Sequence, residues 1–220
     1  MRYRGAPMAA TDPTAAFPLA RDPRARVVLG FWVGDAGARP AALQRRQQLW
    51  FGRDPATDAA IRDRFAALVA EAGSGALDAW AAHPADWLAL LLLLDQFPRN
   101  LHRGSAAAWA FDPQARRHAE HGIGNGQDLL LPAFARLFCY LPLEHAEDPA
   151  AQRRSVALFE ALAREAPPGQ EPVFGVWLDY ARAHAEVIAR FGRFPHRNAV
   201  LGRESTPAER EYLATPGAGF

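Results

Sequence analysis

His83–Arg103 reads HPADWLALLLLLDQFPRNLHR, and its run Trp87–Leu94 is apolar on every side. A helix apolar all round is buried rather than laid on a surface, so this segment is the expected central helix. Pro84 suits a first helical turn, where a missing N–H has no partner to lose, and Pro98 disfavours helix at Phe97. The helix is therefore expected over residues 84–97. Its roughly fourteen residues fall short of the about twenty needed to cross a bilayer, which assigns the hydrophobicity to a protein core. Asp95, Gln96, Arg99, Asn100, His102 and Arg103 crowd its exit, so the most apolar segment of the chain ends in a polar cluster.

On either side the chain reads as helices and turns. Asp22-Pro23 is a cap and first turn, followed by Val27/Phe31 and Val28/Trp32 at i,i+4 spacing, an amphipathic first helix. Ala41–Phe51 turns Leu43 and Trp50 inward before Gly52. From Asp58, Ile61, Phe65, Leu68 and Val69 follow a helical stripe. Ser105 caps a helix through Trp109, and Asp112-Pro113 either caps another or kinks the same one. Pro132 starts Ala133–Tyr140, and residues 141–149 read as irregular up to the Asp148-Pro149 cap of the next helix. From about Val173 to Phe191, Trp177, Ala181, His184, Ile188 and Phe191 share one face, so His184 points inward. Thr206-Pro-Ala-Glu209 is a capping box. No segment alternates as a strand does, and Val, Ile and Thr together number only 17 of 220 residues; the expected fold is all-α. One domain is expected over 21–214, with disordered tails at 1–20 and 215–220.

With 25 Lys+Arg against 24 Asp+Glu the net charge is +1, which supplies no sequence-wide attraction for nucleic acid or an anionic membrane. The lone Cys139 lies in an apolar setting and reads as an inert core thiol. The N-terminal residues carry no continuous apolar stretch of the secretory kind, and a cytoplasmic location is expected.

Phe97-Pro-Arg-Asn100 recurs as Phe194-Pro-His-Arg-Asn198, each after a long helix. The two corners are expected to face each other. LLLLDQFPRNLHRGSA (91–106), FCYLPLEHAEDPAAQ (138–152) and FGRFPHRNAVLGRESTPAE (191–209) resemble the three signature blocks of an uncharacterised family, domain of unknown function 924. The similarity extends from the Phe31-Trp32 helix to Leu213. It implies antiparallel helix pairs in a tetratricopeptide-like right-handed array around the buried central helix, and no particular reaction. One departure is Asp112-Pro113, a proline foreign to the family pattern, at which the helix is expected to break.

Asp95, Arg99 and Asn100, then Glu144, His145 and Asp148, then Arg193, His196, Arg197 and Asn198 with His184 beneath, are the candidate site residues. In the structural reading, Arg99, Arg193 and Arg197 bridge loops through Asp95, Glu144 and Asp148, and the asparagines brace turns. In the functional reading, guanidinium forks beside imidazoles bind a small anionic ligand or substrate and supply an acid or base near neutral pH. A metal site would draw on Glu144, His145, Asp148, His184 or His196, but no HExxH or paired-His spacing fixes a geometry. Neither a metal nor a cofactor is expected. The alternative to a small-molecule site, with or without catalysis, is a tetratricopeptide-like scaffold that binds a partner protein and whose polar motifs are structural.

Overall fold

The structure, a computed structural model, describes residues 20–37 and 40–219. The tail expected at 1–20 lies outside the described residues up to position 19. Ala20 itself is buried, and its carbonyl accepts a hydrogen bond from Arg26 Nε. The described residues form α-helices and short 3-10 turns with no strand, so the fold is all-α. None of these helices is long and apolar enough to cross a membrane.

Three helices start the same way. In α1 (Pro23–Trp32), α3 (Pro55–Gly73) and α8 (Pro149–Arg164) an Asp-Pro dipeptide supplies the cap. The Asp22, Asp54 and Asp148 carboxylates accept first-turn N–H groups, and the proline occupies a position whose own N–H has no helical partner. Asp54 therefore opens α3, where Asp58 was expected to; Asp58 lies one turn inside. Between α1 and α3, α2 (Pro40–Phe51) buries Leu43 and Trp50 as its pattern predicts.

The central helix extends past its expected stop. α4 (Pro84–Leu91) passes through a π turn at Leu92–Gln96 into α5 (Phe97–Leu101), with Pro98 inside the rod. The Phe97 N–H reaches back to the Leu92 carbonyl, and this wider turn makes room for a residue that has no N–H and a bulky ring. Every side chain from Trp87 to Leu94 is at most 1% exposed, and a fully buried leucine contributes roughly 1.5–3 kcal/mol. The rod packs against α1, α3, α6 (Asp112–Gly124) and α7 (Ala133–Glu144). At the α6 contact a Cβ on Gly122 would run into the Trp87 indole, whose Nε1 donates to the His118 carbonyl at 2.9 Å. Only glycine admits that close approach.

Residues 141–144, expected to be irregular, continue α7 through Pro142 to Glu144, with His145 as the capping position. α7, α8 and α9 (Glu171–Phe191) then pack in succession, so α7 and α9 run in the same direction. Gly192 ends α9 with φ +70° and turns the chain into a 3-10 turn at Pro195–Arg197. The capping box forms in full at α10 (Pro207–Leu213). Residues 215–219, expected as a tail, turn back so that Gly219 N donates to the Tyr212 hydroxyl at 3.4 Å.

Candidate functional site

Asp95 is on the π turn, 1% exposed. His145 Nδ1 stands 2.7 Å from its Oδ1 and Gln96 Nε2 2.6 Å from its Oδ2. Arg99, one turn on, pairs with the Asp95 carboxylate at 3.1 Å and with Asp112 Oδ2 at 3.1 Å. From the second corner, Arg197 Nη1 approaches the same Asp112 oxygen at 3.6 Å. The FPRN and FPHRN corners thus face each other across Asp112, the residue that also opens α6.

A second polar pair adjoins the first. Glu144 Oε1 lies 3.2 Å from His184 Nδ1, which also stands 2.8 Å from the Tyr180 carbonyl. The rings of His145 and His184 are 6.2 Å apart. A carbonyl or carboxylate can only accept, so both imidazoles carry their proton on Nδ1. His145, with Nδ1 committed to Asp95, has Nε2 left as its lone-pair nitrogen.

Apart from Asp95 and Asp112, these groups line one cavity of about 920 Å³. Arg99, Asn100, Glu144, His145, His184, His196 and Arg197 are among its polar lining residues, together with Gln47, Gln48, Arg53, Gln96 and Arg103; Trp50, Trp109, Trp177 and Tyr180 are among its aromatic walls. A smaller cavity of about 620 Å³ shares Trp109, His145 and Arg197 with it. Asn100 also donates to Asp58, which Arg103 grips with two hydrogen bonds.

Three sequence candidates have other roles. Asp148 caps α8 and pairs with Arg116. Arg193 forks onto Glu209 at 2.6 and 2.8 Å, and Asn198 braces the turn through Ser205 and Arg203. Neither Arg193 nor Arg197 takes the partner expected of it: the carboxylates are Glu209 and Asp112, in place of Glu144 and Asp148. Glu147, unnoticed in the sequence, holds the second corner by accepting from Phe194 N and from both Nη atoms of Arg203.

The model of a family described as bacterial protein of unknown function (DUF924) matches residues 28–217. The chain belongs to this family. A solved structure of a protein of unknown function from Agrobacterium tumefaciens is similar to it, with 41% sequence identity, a TM-score of 0.72, and coverage of 87% of this chain and 97% of that one. No curated protein matches.

In this DUF924 chain burial sets the proton affinities. Burial, with Asp95 nearby, raises Glu144 to about 8. Burial, helped by the positive charge of Arg99, lowers His145 to about 4, and His196 falls to about 4 through burial and Arg197. Burial likewise pushes His184 well down. Asp95 goes the other way: burial opposes its ionisation, but Arg99 and His145 outweigh it and hold the carboxyl below its ordinary range. Asp112 is raised to about 6 by burial against the pull of Arg99, and Arg197 is lowered to about 10 by burial. At neutral pH the site therefore combines two arginine cations, two aspartates, neutral imidazoles and a protonated glutamic acid. Such a set can bind an anion, donate a proton from Glu144 and accept one at His145. Among the described residues no group of three or more His, Cys, Asp or Glu is placed to hold a metal ion.

Proposed function

We propose that this protein binds a small anionic molecule in the 920 Å³ cavity, with Arg197 and Arg99 receiving the anion and with His145 and Glu144 suited to proton transfer on it. One observation carries the reading. The Arg197 side chain is only 8% exposed, yet its charged partner is a single carboxylate oxygen at 3.6 Å, and its Nε is buried without a hydrogen-bond partner among the described residues. The guanidinium lies over the Phe194 ring at 4.5 Å and the Trp109 ring at 5.4 Å. Buried donors normally have acceptors, and an arginine held flat with donors to spare fits a carboxylate or phosphate fork. The cytoplasmic location expected from the sequence accords with this reading.

A second reading, a tetratricopeptide-like interaction scaffold with structural polar motifs, draws support from the consecutive packing of α7, α8 and α9 and from the bracing done by Asp148, Arg193 and Asn198. Thermal unfolding separates the two. In the binding reading, inorganic phosphate or acetate at about a hundred times its dissociation constant stabilises the wild type by about 2.7 kcal/mol, a rise of roughly 5–10 °C for a chain of this size. Arg197→Ala abolishes that rise and moves the unliganded Tm by less than about 4 °C, because Asp112 keeps Arg99. A wild type that neither anion shifts, with an Arg197→Ala variant that melts far lower, would favour the brace.

A further inference from the structure

Two helices on the cavity wall change character in the same direction. Along α7 the lining residues go from Leu137 and Leu141 to Glu144 and His145; along α9 they go from Val176 and Trp177 to His184. Because α7 and α9 run parallel and Glu144 meets His184 at 3.2 Å, the polar ends coincide, and so do the apolar ends. Seven residues of helix separate Trp177 from His184, about 10 Å at 1.5 Å per residue. The polar end is the deep one: Glu144 is 3% exposed, His184 4% and Arg197 7%. At the apolar end Phe51, Val176 and Tyr180 are 52%, 46% and 54% exposed, and all three line the cavity. Exposed Gln48, Arg53 and Arg103 also line the cavity, so its mouth mixes apolar and polar groups above a charged floor. Three large exposed apolar side chains lining one cavity mark surface that a ligand can cover.

We propose that the anion this cavity takes is amphiphilic, with a carboxylate or phosphate head at Arg197 and Arg99 and an apolar chain or aryl group lying along α7 and α9 to the rim at Phe51 and Tyr180. The proposal rests on the anion-binding reading and specifies the ligand class for it. A purely polar anion leaves the apolar turns of α7 and α9 in contact with water; an uncharged lipid leaves the buried Arg197 Nε without an acceptor. Only a molecule with both ends fits both walls.

Calorimetric titration of the full chain with acetate, butanoate and octanoate tests this, with octanol and octyltrimethylammonium as partners lacking the negative head. Affinity is expected to rise roughly fourfold per methylene while the chain remains within the cavity, and the two octyl controls to bind at least tenfold more weakly than octanoate. Val176→Asp and Phe51→Ser, both at exposed positions, should flatten the dependence on chain length. If acetate or phosphate binds through Arg197 but octanoate binds no more tightly, the amphiphilic assignment is wrong and the anion reading stands. If octanol equals octanoate, recognition of the head fails and both readings fall. Absence of binding by every acid overturns both as well.

Discussion

Glu144 and His145 are consecutive in the chain, and the fold pushes their proton affinities in opposite directions, to about 8 and about 4. In water near neutral pH the glutamate is charged and the histidine partly so; here the carboxyl keeps its proton and the imidazole lacks one. The inversion has consequences of definite sign. A carboxyl whose folded-state affinity is raised from 4.5 to about 8 favours the folded state fully below its unfolded value, and that contribution is lost as pH rises through about 8. Glu144→Gln keeps a neutral side chain of similar shape at every pH. The variant is therefore expected to match the wild type near pH 5 and to melt higher than it near pH 9, by an amount on the order of several kcal/mol at most. Thermal unfolding across that range checks it. The same titration places a negative charge on the wall of the cavity that Arg197 lines, so phosphate affinity should weaken above about pH 8 in the wild type and hold in Glu144→Gln. A flat pH dependence in both proteins would mean that Glu144 is ionised throughout or remote from the bound anion.

The helices themselves were largely visible in the residue pattern, because burial of the run from Trp87 to Leu94 and the inward stripe of α9 follow from hydrophobic periodicity alone. Two of the places where the pattern misled are prolines. Pro98 reads as a stop and the segment from Leu141, which holds Pro142, as irregular, yet both prolines sit inside helices. A proline stops a straight α-helix on local grounds, and tertiary packing overrode those grounds here: a wide turn at Leu92–Gln96 accommodates Pro98, and burial of α7 on every side of Pro142 outweighs one forgone hydrogen bond. Asp95 lies on that wide turn, and Glu144 follows Pro142 by two residues, so the irregularities adjoin the site. Leu91→Asp tests the weight carried by the central rod. Leu91 is 1% exposed with apolar neighbours on all sides, and an unpaired carboxylate there costs several kcal/mol, comparable to the whole stability of about 5–15 kcal/mol. Loss of soluble, cooperatively folding protein is expected, measured by circular dichroism and size exclusion; a stable, folded variant would show that the rod is not the centre of the core.

For the molecule as a whole, the repeated corner was readable as a motif, but its closing element was not. Four Asp-Pro dipeptides occur among the described residues, at 22, 54, 112 and 148. Three cap helices through their carboxylates; at α6 no side-chain cap forms, and the Asp112 carboxylate instead faces Arg99 and Arg197. Local sequence could not separate that one from the others, because the difference lies in what positions 99 and 197 bring to it across the fold. The same holds for the aromatic walls at Trp109 and Trp177, which read only as a helix end and a position on an inward stripe. Asp112 thus joins three distant parts of the chain, and Asp112→Asn probes that junction. Removing one partner of a buried pair costs about 3–5 kcal/mol; Arg99 keeps Asp95, so a loss of about 1–3 kcal/mol is expected, or roughly 3–10 °C in Tm. Two guanidiniums then face each other with less opposing charge, and an anion entering the cavity supplies what the substitution removed. Phosphate should therefore raise the Tm of Asp112→Asn by more than it raises that of the wild type, partly restoring it. If the two proteins gain equally, the anion sits away from the Arg99–Arg197 gap, and the corners meet only to brace the fold.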